Sequence, residues 1–170
     1  MSVQVPWSVL PDYRCFGCSP HNDHGLRLTF APHPDGLQAR FTLDRGFESY
    51  PGVVHGGLVG VICDETMGNL IVLDRHQPAF TTSMRTRFVT PLLVGRDYRC
   101  VASLRPDGGE LFHACAEVLD ADDVVCATAS AVYQAFSLDQ VRHQLTLGDD
   151  EVALLDQAIT ANLSPNGARS

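Results

Sequence analysis

The chain of 170 residues has no lysine, no internal repeat, no low-complexity tract and no uninterrupted apolar run near bilayer length. Its 12 basic residues are thinly spread arginines set against 20 acidic residues, for a net charge of -8. That balance leaves no electrostatic footprint for a polyanion, so nucleic acid is not an expected partner. The apolar runs stop short of the roughly 18–20 residues that cross a bilayer, so no membrane partner is expected either. The opening MSVQVPWSVLPDYRC lacks a basic leader followed by an apolar stretch and a small-residue cleavage site, and no export signal is visible. Cysteine is sparse: Cys15, Cys18, Cys63, Cys100, Cys115 and Cys126. The last four lie in apolar or alternating segments, where free buried thiols are common. These absences together predict a cytoplasmic protein.

What is present is ordinary for a globular chain, with 45% hydrophobic and 19% charged residues. The length predicts one domain with tails: an irregular lead-in over 1–24, a single domain over 25–137, and a short helical tail over 138–170 with a frayed end at 163–170. Leu26–Phe30 and Leu37–Leu43 alternate apolar and polar residues around a Pro-Asp-Gly turn at 34–36, which predicts a hairpin. Residues 56–73 are apolar all round, as in a helix buried on most sides. Gly57, Gly60 and Gly68 within it suggest close backbone approach. Thr82–Val89, Arg96–Leu104, Leu111–Leu119 and Val124–Phe136 then read as four hairpin-linked strands. The plan is α+β, an antiparallel sheet wrapping one long central helix.

The informative stretch is PGVVHGGLVGVICDETMG, residues 51–68. Asp64 and Glu65 stand amid Val59, Val61, Ile62, Met67, Leu70 and Ile71, where an unpartnered carboxylate costs several kcal/mol. Such a charge is compensated or used. The helix start predicts unpaired amides at Gly56 and Gly57, suited to a carbonyl oxygen that gains negative charge. A carboxylate in apolar surroundings can take a proton from water or attack an acyl carbon itself, and the combination points to hydrolysis of an activated acyl group. His55 and Asp64 are nine positions apart, which is about 13 Å along a helix and on opposite faces. They cannot serve one atom within one chain. A twofold homodimer that brings one chain's turn to the other's Asp64 solves the geometry. Glu65 is turned about 100° from Asp64 and reads as a structural neighbour, capped or salt-bridged.

Residues 51–68, with CFGCSPHNDHGLRL at 15–28 and TTSMRTRFVTPLLVG at 81–95, resemble the hotdog-fold acyl-coenzyme A thioesterases of the phenylacetate-degradation type. The resemblance covers roughly residues 15–136 and implies a hotdog fold, an acyl-coenzyme A substrate, no cofactor, and a homodimer that can pair further into a tetramer. It implies Asp64 as general base or nucleophile, the Gly56 backbone amide as main oxyanion donor, and His55 as the residue orienting the thioester carbonyl. Gly57 accompanies them at the turn. It also implies that the Thr81 hydroxyl positions water near the carboxylate. Ser49 departs from the family pattern, standing six positions before His55 where relatives often carry Asn or Gln. Two other functions stay open: a non-catalytic acyl-coenzyme A binding or sensing protein, and a hotdog hydratase or dehydratase, which the His-Gly-Gly turn disfavours.

Cys15, Cys18, His21 and His24 offer the right donor types for tetrahedral zinc. Four donors in ten residues are cramped, so no metal is expected and a packed thiol pair lining the substrate entrance is the favoured reading. Arg85 and Arg87 share a strand face, and Arg96, Arg99 and Arg105 recur beyond them. Arginine suits the phosphates of coenzyme A, but scattered arginines do not single out a site.

Overall fold

The computed structural model describes residues 2–106 and 109–161. A 20-residue helix, α1 (Gly56–Arg75), packs on a six-stranded antiparallel sheet of β1 (Thr29–His33), β2 (Gly36–Thr42), β3 (Ala79–Phe88), β4 (Asp97–Leu104), β5 (Leu111–Leu119) and β6 (Val125–Ala135). Alternation decides the faces: Leu37, Ala39 and Phe41 of β2 turn inward, as do Ala127, Ala129, Ala131 and Tyr133 of β6. The small alanines let α1 lie close to the sheet. From α1 itself Val59, Ile62, Cys63, Met67 and Ile71 are 2% exposed or less, each large side chain gaining about 1.5–3 kcal/mol from burial. Among the described residues α1 is the one helix long and apolar enough to cross a membrane, judged by length and composition alone. Here the sheet covers it.

The predicted α+β plan holds, as does the hairpin at 34–36, where His33 faces Gly36 across β1 and β2. The four hairpin-linked strands do not. The sheet order is β1-β2-β4-β5-β6-β3, so β3 pairs with β6 at the far edge and β4 lies beside β2. The connection after β3 is too long for a tight turn and crosses the end of the sheet beneath the start of α1. Val54 N–H donates to Leu92 O and Gly95 N–H to Leu43 O, both at 2.8 Å, which fastens the crossing to the loop before α1. Only β4, β5 and β6 form a meander. β3 is paired on one side and open on the other, with Phe80 44%, Met84 39% and Phe88 55% exposed.

Close approach does not explain Gly60 and Gly68. A Cβ at Gly60 would meet Met84 at 3.5 Å and one at Gly68 would meet Tyr133 at 3.8 Å, both ordinary contact distances. Gly57 is tight, at 3.1 Å from His55 Nδ1. After β6 the chain forms α2 (Leu138–Val141), closed by a Ser137–Gln140 capping box, and α3 (Asp149–Ala161). Leu138, Val141, Leu155 and Ile159 bury against Val72 and Phe136 in a second apolar cluster, with Trp7 of the 3-10 turn Pro6–Val9 packed on it. The expected frayed end at 163–170 lies outside the described residues.

Candidate active site

Asp64 sits midway along α1, half-buried, where the helix passes the inner ends of β3 and β6. Thr81 Oγ1 donates to Asp64 Oδ1 at 2.8 Å and Tyr133 Oη donates to the same oxygen at 2.9 Å. Thr81 and Tyr133 are register partners across β3 and β6, and a bulge between Thr81 and Ser83 follows immediately. The carboxylate is thus held by one oxygen, while Oδ2 has no hydrogen-bond partner among the described residues. Burial, with the Asp64 charge second, raises the Tyr133 phenol well above its ordinary range, so it stays protonated and remains a donor. Asp64 and Thr81 open onto a cavity of about 260 Å³, walled also by Trp7, Tyr13, Val72 and Pro78.

The helix N-terminus differs from expectation in one respect. His55 is the N-cap, and its Nδ1 accepts from Gly57 N–H at 3.0 Å. The Gly57 amide is therefore taken, and with His55 Nδ1 accepting, the ring N–H lies at Nε2. The Gly56 amide has no partner among the described residues and remains the one open donor of the pair. Gly56 and Ser49 line a second, mainly apolar cavity of about 310 Å³ with Tyr50, Val59, Phe88 and Val89. The structure thus brings Ser49 to Gly56 and Thr81 to Asp64. It does not bring the two groups together within one chain: Gly56 and Asp64 are eight positions apart on the helix, about 12 Å.

Among the described residues Glu65 has neither a capping bond nor a salt bridge. Cys15 Sγ donates to its Oε1 at 3.0 Å and Asn69 Nδ2 to its Oε2 at 3.3 Å. Burial, foremost, pushes the Glu65 carboxyl up to about 8, while the Cys15 thiol is drawn down, chiefly by a hydrogen bond from the Cys18 thiol. Cys18 shares a 2.7 Å hydrogen bond with Tyr13 Oη. His21 and His24, grouped with the cysteines in the sequence, lie exposed and outside this cluster. Arg99 is committed to an ion pair with Asp123 at 2.7 Å, while Arg85 and Arg105 line a shallow cavity on the outer face of the sheet.

Sequence reasoning missed Tyr133. Its signal is the inward run Ala127, Ala129, Ala131, Tyr133, in which one large polar-tipped side chain follows three small ones on the face turned to α1. The missed partner of the cysteine pair is Glu65, 50 residues from Cys15.

A thioesterase superfamily protein of known structure superposes with a TM-score of 0.67 at 18% identity, over 79% of this chain and 68% of its own. The protein smu.793 of Streptococcus mutans, solved bound to acetyl CoA, gives 0.62 at 16% identity, over 75% and 95%. The PaaI protein of the E. coli phenylacetic acid degradation operon gives 0.61 at 13% identity, over 65% and 80%. A search of curated proteins gave no match. The structural likenesses establish the hotdog fold, in which the antiparallel sheet packs on the long central helix. Residues 51–127, which carry α1, the Gly56 turn, Asp64 and Thr81, match the family described as the Thioesterase superfamily.

Proposed function

We propose that this protein hydrolyses the thioester of an acyl-coenzyme A to the free acid and coenzyme A, within the phenylacetate-degradation branch of the hotdog thioesterases. The observation that carries the reading is the Asp64 carboxylate, anchored through Oδ1 by Thr81 and Tyr133 with Oδ2 free at a cavity. The free Oδ2 is the oxygen available to take a proton from a water in that cavity. The acetyl CoA carried by the S. mutans structure on the same fold supports coenzyme A as the carrier.

In the mechanism, water beside Asp64 Oδ2 attacks the thioester carbonyl carbon and Asp64 takes its proton. The carbonyl oxygen becomes an oxyanion held by the Gly56 N–H of a partner subunit. Collapse of the tetrahedral intermediate breaks the C–S bond, and the coenzyme A thiolate leaves with the proton that Asp64 took from water, which restores the carboxylate. Asp64 as the attacking nucleophile is the other route, through an acyl-enzyme anhydride that water then opens. His55, fixed as the Nε2–H tautomer, orients the substrate carbonyl at the turn. The free edge of β3 and its exposed Met84 and Phe88 support a homodimer built edge to edge. The protein is expected to work in the cytoplasm.

The test is thiol release from acetyl-, benzoyl-, phenylacetyl- and palmitoyl-coenzyme A by the purified protein and by Asp64→Asn. Turnover by the native chain that drops at least about 100-fold in Asp64→Asn supports the reading. Tight binding of acyl-coenzyme A without turnover by the native chain overturns it in favour of a binding protein.

A further inference from the structure

We infer that Cys15, Cys18 and Glu65 form a zinc-type metal site that clips the lead-in segment to α1. The site borders the cavity that holds Asp64, but metal binding there does not depend on the hydrolytic reading.

The ligand atoms of these three residues lie within 4.8 Å of one another, from two segments 50 residues apart. With Zn–S near 2.3 Å and Zn–O near 2.0 Å, tetrahedral geometry sets donor atoms about 3.5–3.8 Å apart, so the side chains need move by little more than rotamer adjustment. Two thiolates and a carboxylate are a borderline-soft donor set that suits zinc over magnesium or calcium. The objection to a metal, four donors crowded into ten residues, falls away because Glu65 replaces the two histidines.

Three further features point to a ligand. Gly17, between the cysteines, faces Glu65 so closely that a Cβ there would lie 2.1 Å from Glu65 Cγ, so only glycine admits the carboxylate to the pair. Asn69, bonded through Nδ2 to Glu65 and only 5% exposed, keeps its Oδ1 without a partner among the described residues, on the wall of the same cavity. The cavity wall carries Tyr13, Cys15, Asp64 and Glu65 but no cationic side chain among the described residues. A divalent cation supplies the missing positive charge, and its fourth position opens to the cavity for water or the Asn69 oxygen.

The experiment uses the full chain, stripped with chelator under reducing conditions and titrated with Co²⁺, then Zn²⁺. One equivalent of cobalt is expected to give strong tetrahedral visible bands with a thiolate charge-transfer band, bleached by zinc. Cys15→Ser and Glu65→Gln weaken uptake at least tenfold, and Cys115→Ser, on β5, leaves it unchanged. A pale octahedral spectrum without charge transfer overturns the site, as do bands that survive in Cys15→Ser. Should the variants fold poorly, alkylation of the native chain decides. Zinc is expected to shield Cys15 and Cys18 from iodoacetamide, and equal labelling with and without zinc overturns the proposal.

Discussion

Thr81 and Tyr133 face each other across the β3–β6 pair and both donate to a single oxygen of Asp64, at 2.8 and 2.9 Å. Two neutral donors on one oxygen leave the other with the charge's free lone pairs, aimed by the same two bonds. The pair therefore positions the carboxylate as well as stabilising it. Tyr133→Phe removes one charge-assisted bond worth about 1.5–3 kcal/mol. We expect kcat to fall about tenfold or more with KM little changed, and Thr81→Val to do the same. The double variant should lose less than the product of the two, because each residue acts through the same oxygen. Steady-state kinetics on the three proteins checks this, and a change confined to KM would show that the hydroxyls touch substrate instead.

The Gly56 amide permits an unusually narrow substitution. Gly56 is the first residue of α1, where proline is tolerated, and His55 before it already has the extended backbone, φ -62° and ψ 126°, that a following proline requires. Gly56→Pro thus deletes the one open N–H while keeping the helix start. We expect kcat to fall about 10²–10³-fold, as for loss of one oxyanion donor. Mixed by refolding with equally inactive Asp64→Asn subunits, it should recover about a quarter of native activity, since half of the dimers then hold one intact site. No recovery in confirmed heterodimers would place both groups in one chain's site.

How much of this was legible in the sequence depends on distance along the chain. Helix α1, the Gly56 turn and Asp64 were readable because charge in an apolar run and two glycines at its start are local anomalies. The separation of His55 from Asp64 followed from helix geometry alone. The place of β3 was not readable, because alternation over 82–89 looks the same in a central strand and an edge strand, and only the crossing through Leu92 and Gly95 moves it beside β6. Tyr133 stayed hidden for that reason, its partner Thr81 being joined to it by that pairing. At the cysteines, local spacing misled: His21 and His24 were nearer in sequence, whereas Glu65 arrives from α1.

Gly17 offers a stability test of the lead-in. A Cβ there would overlap Glu65 Cγ, which α1 holds in place through Asn69. Gly17→Ala should cost about 1–3 kcal/mol by overpacking and loosen residues 13–28 from the helix. The expected readouts are a lower thermal midpoint and earlier proteolytic cleavage in that segment. An unchanged midpoint would mean that Glu65 swings aside freely.

Trp7 tests where the acyl group lies. It stands on the 3-10 turn Pro6–Val9, against the second apolar cluster, and walls the cavity of about 260 Å³ that holds Asp64 and Thr81. An acyl chain extending from a carbonyl beside Asp64 into this cavity would end against the indole. Trp7→Ala removes that wall at a stability cost of about 3 kcal/mol, the low end for truncating a tryptophan, since Trp7 is only partly buried. The informative quantity is the ratio of kcat/KM for palmitoyl- to acetyl-coenzyme A, in which any loss of folded enzyme cancels. We expect that ratio to rise about tenfold, the gain available from one or two extra methylenes in an apolar pocket. An unchanged ratio would send the acyl chain instead to the apolar cavity beside Gly56, where Tyr50, Phe88 and Val89 would set its length.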